Sequence, residues 1–481
     1  MNIDVTIDKL KNSPECERTY KLLSVFKEKY PEEKEVFVAH APGRVNLIGE
    51  HIDYNGYAVM PMSINREIEV AFVPLNEPRV EICSATSENM EREFLISDNI
   101  KAYDMGDWGN YVKAPCEVLY KWALGYCEDC IPLKGFKGVL IGDIPYAAGL
   151  SSSSALVVCI GTIINYINNL SISKSKLADL MAKGELYVGT MGGGMDQSAS
   201  IFGHKDGPLR IMFRPIRVEE IKMSQGVSFI IANSLKKAEK TGAARFNFNT
   251  RSIECKLGLE ILKNLAKDVY PESVYMPSIR RFQKLVGWDH IMPFFDKIPK
   301  HGLSIEEVSK LSGLSVEDIT EKFLLLNDNV YLPIPKDGFK IADRLEHVFC
   351  EAKRVSLAKK AMIAGKIDLV AQYMDESHNS CRDLYDISCP EVEELIKCLK
   401  NAGTLGSRIT GAGWGGCTVS IVKTEDADRI IKEIWETYYK EYALPNGLAV
   451  PEEKDLSKAI FACSPAEGAG IREEILASDL C

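Results

Sequence analysis

Residues 149–155 read Gly149-Leu150-Ser151-Ser152-Ser153-Ser154-Ala155, between a short apolar run, Val139-Leu140-Ile141, and a long apolar stretch that begins at Ala155. The pattern predicts a strand, a polar loop and a helix, with the serines at the helix N-terminus. Such an end carries unpaired N–H groups and the positive pole of the helix dipole, so it suits a phosphate. Small side chains let the backbone approach an anion, and hydroxyls can donate to phosphate or ligate Mg²⁺. A Ser-rich N-cap without a ligand is the plainer alternative.

A second cluster is Pro42-Gly43-Arg44-Val45-Asn46-Leu47-Ile48-Gly49-Glu50-His51-Ile52-Asp53. Glu50 and Asp53 suit hydroxyl donors, and Arg44 suits an anion or a carboxylate. The cluster reads as a polar, Gly-broken turn fed by the strand Val36–Ala39. A third segment, Gly189 to Gln197, presents Asp196 beyond the glycines Gly192, Gly193 and Gly194. A carboxylate near an arginine and a phosphate can accept a substrate hydroxyl proton. A fourth, Gly411-Ala412-Gly413-Trp414-Gly415-Gly416, is weak by itself. No Gly-x-x-x-x-Gly-Lys-Ser/Thr run is present, so any nucleotide binds on a different cradle.

Strands and helices must position these segments. Periodicity predicts helices over 17–30, 108–126, 153–169, 173–187, 339–361 and 390–402, and strands over 68–73, 80–83, 139–142, 227–232 and 418–422. Ser304-x-x-Glu307 and Ser315-x-x-Asp318 read as helix starts in a short helical insertion. Residues 444–457 read as loop. Two domains are expected, 1–222 and 223–481, with the insertion around 255–345 and the polar segments facing a cleft between them.

With 481 residues, 46% apolar and 26% charged, the chain has ample core. A net charge of −10 argues against a nucleic-acid or anionic-membrane binder. No signal peptide is visible, and the longest apolar run is too short to span a bilayer. The fourteen cysteines read as reduced thiols of a cytoplasmic protein, the lone pair Cys127-x-x-Cys130 included.

Taken in order, Gly-Arg-Val-Asn-Leu-Ile-Gly-Glu-His, Pro-x-x-x-Gly-Leu-Ser-Ser-Ser-Ser-Ala, Gly-Gly-Gly-Met-Asp-Gln and Gly-Ala-Gly-Trp-Gly-Gly-Cys resemble the galactokinase branch of the GHMP small-molecule kinases, over residues 36 to 425. The resemblance implies an α/β (α+β) fold of two domains, ribosomal-protein-S5-like then ferredoxin-like, with the site in the cleft. It implies transfer of the ATP γ-phosphoryl group to the C1 hydroxyl of a galactose-type sugar, with Mg²⁺. By position, Asp196 and Arg44 match the catalytic pair. Arg44, Glu50, His51, Asp53, Gly194, Asp196 and Phe248 match sugar-site residues. Gly149 and Ser151 to Ser154 (with Ser152 and Ser153) match the phosphate loop. Trp108, Asn233 and Ser234 would face the nucleotide, and Ser153 with Glu185 the metal. The partners implied are the sugar and ATP alone, on a monomer.

Several phrases look closer to N-acetylgalactosamine kinases, among them Gly192-Gly193-Gly194-Met195-Asp196-Gln197-Ser198 and Ser377-His378-x-Ser380-Cys381-Arg382-Asp383. Ordinary galactokinases tend to place a Tyr where Phe248 stands, and a drier wall suits an N-acetyl methyl. N-acetylgalactosamine is therefore the expected preferred sugar, with galactose the alternative. A rival of another class is a catalytically silent sugar and ATP sensor that binds a regulatory protein; intact Arg44, Asp196 and serine loop argue against it.

Overall fold

The computed structural model describes residues 1–474 apart from 12–15, 87–89, 105, 185–186, 188–192, 238–242 and 327–329. Strands β1 (Phe37–Ile48), β2 (Met60–Pro74), β3 (Arg79–Ser84), β4 (Glu91–Leu95) and β5 (Phe136–Gly142) form a sheet that β12 (Gly470–Arg472) closes at one edge. The order is β12-β1-β2-β5-β3-β4. All neighbours are antiparallel except β3 and β5. Period-two alternation sends Val38, Ala71, Val139 and Ile141 to one face, where α1 (Ile3–Leu10) and α2 (Glu17–Lys29) cover them. Ala39, Val70 and Phe72 point to the other, against α3 (Asn110–Tyr126), α4 (Ser152–Ile167), α5 (Lys174–Gly184) and α6 (Met195–Phe202).

A hairpin, β6 (Leu209–Met212) and β7 (Arg217–Glu220), follows. Strands β8 (Val227–Asn233), β9 (Gly406–Ile409), β10 (Cys417–Lys423) and β11 (Ile460–Cys463) make a second, antiparallel sheet in the order β11-β8-β10-β9. Between β8 and β9 in sequence lie α7 (Ala243–Ala266), α8 (Ile279–Val286), α9 (Trp288–Phe295), α10 (Ile305–Ser312), α11 (Val316–Ile319), α12 (Ile341–Ile363), α13 (Ile367–Asp383) and α14 (Pro390–Asn401). Helix α15 (Ala427–Ile434) packs with α14 on Ile230, Ala232 and Val422 of the second sheet. The predicted starts hold: Ser304 and Glu307 form a full capping box on α10, and Ser315 accepts from the amide of Asp318 on α11. One apolar core runs from the first sheet through α12 and α13 to β10, so the two sheets share packed side chains.

Three features differ from the expectations. The run from Pro42 to Ile48 is not a turn but part of β1, buried along nearly its whole length. Its register against β2 shifts between Pro42 and Arg44 and again between Asn46 and Ile48. These bulges re-aim Arg44, and burial on both faces removes the alternation that would mark a strand. Cys127 and Cys130 are not reduced; the turn Glu128–Cys130 brings their Cα atoms to 5.4 Å and a disulfide joins them. The chain also returns from the second sheet to the first, since β12 pairs with Val38, Ala39 and His40 of β1.

Candidate active site

Gly149 adopts a φ of +77°, and a Cβ there would fall 2.7 Å from the carbonyl of Thr410. Gly411 is pressed as closely from the other side, 2.6 Å from the carbonyl of Gly149. The serine loop and the fourth Gly-rich turn are thus laid backbone to backbone. The amide of Cys417 also donates to Ala148 at 2.8 Å. On the other flank the amide of Arg44 donates to Leu150 at 3.1 Å, and the absent side chain of Gly43 makes that approach possible, since a Cβ would sit 2.9 Å from the same carbonyl. The loop is therefore clamped between β1 and the second sheet, just before α4 begins.

Arg44 is 2% exposed. Its Nε and Nη2 donate to Asp196 Oδ1 at 2.8 and 2.6 Å, and its Nη1 donates to the Gly149 carbonyl at 2.6 Å. Ser151, held at a φ of 62° at the cap of α4, donates through Oγ to Asp196 Oδ2 at 2.5 Å. The predicted catalytic pair and the phosphate loop are one hydrogen-bonded unit across 152 residues of sequence.

Two pockets meet at this unit. The smaller, about 420 Å³, is lined by Arg44, Glu50, His51, Asp53, Tyr54, Gly193, Gly194, Met195, Asp196, Gln197, Phe248, Gly411 and Ala412. The larger, about 1140 Å³, is lined among others by Trp108, Tyr111, Gly149, Ser151, Ser152, Ser153 and again Ala412. Every residue assigned from sequence to the sugar site lines the smaller pocket. Trp108 lines the larger one with its indole N–H buried and unpaired within the protein.

Three expectations on the nucleotide side change. Ser154 is fully buried, its Oγ facing Gln197 Nε2 at 3.4 Å, because the helix turns it away from the pocket. Asn233 and Ser234 line neither pocket. The end of β8 is tied elsewhere instead: the Ser234 amide donates to Gly416, and the carbonyls of Asn233 and Ser234 accept from Tyr439 and Tyr438 of the helical segment that follows α15. Glu185 lies outside the described residues.

The sugar-side wall has its own supports. The carbonyl of Ala412 can only accept, so His51 Nε2, 3.1 Å away, carries a proton. In the neutral ring Nδ1 then accepts from Tyr54, 3.0 Å away, and Tyr54 meets the hydroxyl of Tyr385 at 2.7 Å. Phe248 packs its ring 5.4 Å from His51. Glu50 pairs with buried Arg408 at 3.0 Å; burial pushes its carboxyl up while Arg408 and Arg44 oppose this. Burial, and then the charge of Asp196, push Asp53 up to about 6. Asp53 accepts from the Met195 amide at 3.4 Å, and Gly193 is required beside it, since a Cβ would lie 2.4 Å from the carboxyl.

Sequence reasoning did not single out Glu351. Its Oε1 accepts from the amides of Gly49 and Glu50 at 2.7 and 3.3 Å and from Ser377 at 2.6 Å, and Oε2 accepts from Arg354 at 2.7 Å. Nothing local in α12 marks its role at the sugar loop, because the two amides it holds are about 300 residues away. Among the described residues no cluster of three His, Cys, Asp or Glu could hold a metal.

Comparison with known proteins gives a consistent pattern. A galactokinase galactose-binding signature matches residues 24–74, a GHMP kinases N terminal domain matches 110–204, and a GHMP kinases C terminal model matches 358–441. The galactokinase of Dictyostelium discoideum is 31% identical over 501 residues, covering 96% of each chain. That of Saccharomyces cerevisiae is 30% identical, covering 91% of each. The solved galactokinase of Lactococcus lactis, in complex with galactose, superposes with a TM-score of 0.66 at 26% identity over 93% of this chain and 99% of the other. A mevalonate kinase from Methanococcus jannaschii shares the fold, with a TM-score of 0.53 at 17% identity over 89% and 98%.

Proposed function

We propose, from the premise that this chain belongs to the GHMP kinase family and within it to the galactokinases, that it transfers the γ-phosphoryl group of ATP to the C1 hydroxyl of galactose. The observation that carries the reading is the shared unit Arg44–Asp196–Ser151, which stands where the smaller and the larger pocket meet. The sugar lies against Glu50, His51, Asp53 and Tyr54, whose acceptors suit its hydroxyls. Asp196 orients the C1 hydroxyl and takes its proton. Arg44, anchored on both Asp196 and the loop carbonyl of Gly149, holds the carboxylate in place and offsets charge on the phosphoryl oxygens. The amides of Ser152 and Ser153 at the start of α4, beside the larger pocket, receive phosphate oxygens.

A metal held chiefly by the nucleotide fits the donor set, since Ser153 offers a hydroxyl in the larger pocket and no protein cage is present among the described residues. When bound, Mg²⁺ would neutralise charge between the β- and γ-phosphates.

Galactose takes precedence over the expected N-acetylgalactosamine. The galactose-binding signature spans Arg44 to Tyr54, and the relatives compared are galactokinases. Phe248 remains the residue on which an N-acetyl preference would rest. Phe248→Tyr should leave the preferred sugar unchanged if galactose is the substrate, and should shift the ratio toward galactose if it is not. The test is Mg²⁺-ATP-dependent ADP release with galactose, N-acetylgalactosamine, glucose and N-acetylglucosamine separately. The highest kcat/KM with galactose is expected. The highest with N-acetylgalactosamine would restore the other sugar. Binding of sugar and ATP without turnover would make the chain a sensor.

A further inference from the structure

Six cations are carried by two elements that meet, the β6–β7 hairpin and α8. Arg210, Arg214 and Arg217 come from the β6–β7 hairpin, and Arg280, Arg281 and Lys284 from α8. Residues 209–218 and 273–288 contain no Asp or Glu, although the chain as a whole carries a net charge of −10. The two runs are in contact: Arg281 donates to the carbonyl of Arg214 at 3.3 Å, and Arg280 to that of Phe213 at 3.5 Å. Arg210 is matched by Glu219 at 3.2 Å, but Glu219 is also engaged by Lys359. None of the other five forms an ion pair with a described carboxylate, and Arg214, Arg217, Arg281 and Lys284 are exposed.

The crowding acts on the cations themselves. The Lys284 ammonium is held below its ordinary value, first by the charge of Arg280, then by burial, Arg281 and Arg217. Burial and then Arg281, Arg210 and Arg217 act in the same direction on Arg280. Like charges kept together without counter-charge cost stability, and an anion relieves that cost. Arg214 also borders a cavity of about 1280 Å³ whose far wall is α5, with Lys176 and Lys183. Of these two, Lys183 is paired with Asp179.

We propose that this face is a second ligand site, distinct from the catalytic pockets, for a small molecule bearing two phosphate groups. One phosphate monoester carries about −2 at most, so two of them match the five unpaired cations far better than one. The site is wired to the sugar loop, because the Arg280 amide donates to Asn55 at 3.2 Å and its guanidinium to Gly56 at 3.1 Å. Occupancy therefore bears on sugar affinity as well as on binding at the face itself.

The test is calorimetric titration of the full chain with fructose 1,6-bisphosphate, after ADP and galactose have been bound in the same cell. Reading those two first separates any failure of the active-site assignment from failure at the second site. One bisphosphate per chain is expected, with affinity falling at high salt. Arg281→Glu with Lys284→Glu should weaken it about tenfold or more, while the distant reversal Lys21→Glu should not. If the double reversal does not fold, Arg281→Gln with Lys284→Gln takes its place, with the same direction expected. No bisphosphate heat in the loaded protein, or equal weakening by Lys21→Glu, would overturn the assignment. Binding of a poly-glutamate peptide without bisphosphate binding would also overturn it, in favour of an acidic protein partner.

Discussion

Asp196 divides its two oxygens between two tasks: Oδ1 takes both Arg44 donors, and Oδ2 takes Ser151. Asp196→Ala should lower kcat by about 10²–10⁴ while ATP affinity is largely kept. Arg44→Ala should lower kcat more than it raises the sugar KM, read from steady-state kinetics. A loss confined to KM would leave Arg44 a binding group only. Asp53 differs in kind, because burial and Asp196 raise its carboxyl to about 6. In the folded chain it holds its proton between about pH 4 and 6, where an unfolded chain has released it, so its contribution to stability falls as pH rises through that window. Asp53→Asn should therefore raise Tm at pH 8, by the equivalent of about 1–2 kcal/mol, with the gain fading below about pH 4. The same substitution should weaken sugar binding. In the parent protein kcat/KM should drop as pH falls through about 6, and this limb should vanish in the variant. These residues were legible because each sits in a short run dense in glycine and charge. The shift at Asp53 was not, since it depends first on burial by the finished fold and then on Asp196, 143 positions later in the chain.

Elements decide whether those side chains meet. The serine loop, α4 and the strand before it were readable from periodicity and turn chemistry; α4 lies within a residue or two of expectation, while the strand begins three residues earlier than expected, at Phe136. Strand β1 was readable only up to Ala39, because its later residues are buried on both faces and broken by bulges. Helix α12 was readable as a helix, but its role was hidden. Glu351 on that helix holds the amides of Gly49 and Glu50 and so sets the entry to the sugar loop. Burial works to raise this carboxyl, yet Arg354, His347 and Arg408 overcome it and hold it at about 2. His347, pushed down to about 4 by burial, stays neutral at pH 7 and donates to the Glu50 carbonyl. Glu351→Ala leaves two amides and Arg354 without their acceptor, so a loss of about 3 kcal/mol is expected, measured by chemical denaturation. The sugar KM should rise with it, while the KM for ATP changes little. The contribution is present above the ordinary carboxyl value and lost as pH falls from about 4.5 toward 2. If Glu351→Ala alters stability but leaves the sugar KM unmoved, the helix is a scaffold and not a positioning element.

At the scale of the whole molecule, the expected division near residue 222 falls between β7 and β8, but β12 comes back across it. Nothing in the sequence marks this return: three residues, Gly470–Arg472, are too few for periodicity. What secures the strand is charge. Arg472 donates to Glu69 at 2.6 Å and Glu67 at 3.0 Å, and Arg18 of α2 meets the same two carboxylates at 3.1 and 2.6 Å. Glu69 is fully buried, so each arginine supplies charge that water cannot. Helix α2, strand β2 and the end of the chain are thereby locked around one pair of acids. Removing Arg472 alone leaves Arg18 as the only arginine on both carboxylates among the described residues, so Arg472→Met should cost about 2–4 kcal/mol at neutral pH, and the cost should shrink as acid protonates Glu67. Glu69→Gln alone should also destabilise. The double variant should lose less than the sum of the two, with a coupling of about 1–3 kcal/mol in a double-mutant cycle by denaturant unfolding. Below the unfolding transition, kcat with galactose should stay near the parent value, because neither acid lines a pocket; of this stretch of β2 it is Ile68, between them, that borders the larger one. Additive losses would mean that the return strand is held by its backbone pairing with β1, and that the arginine only shields the acids.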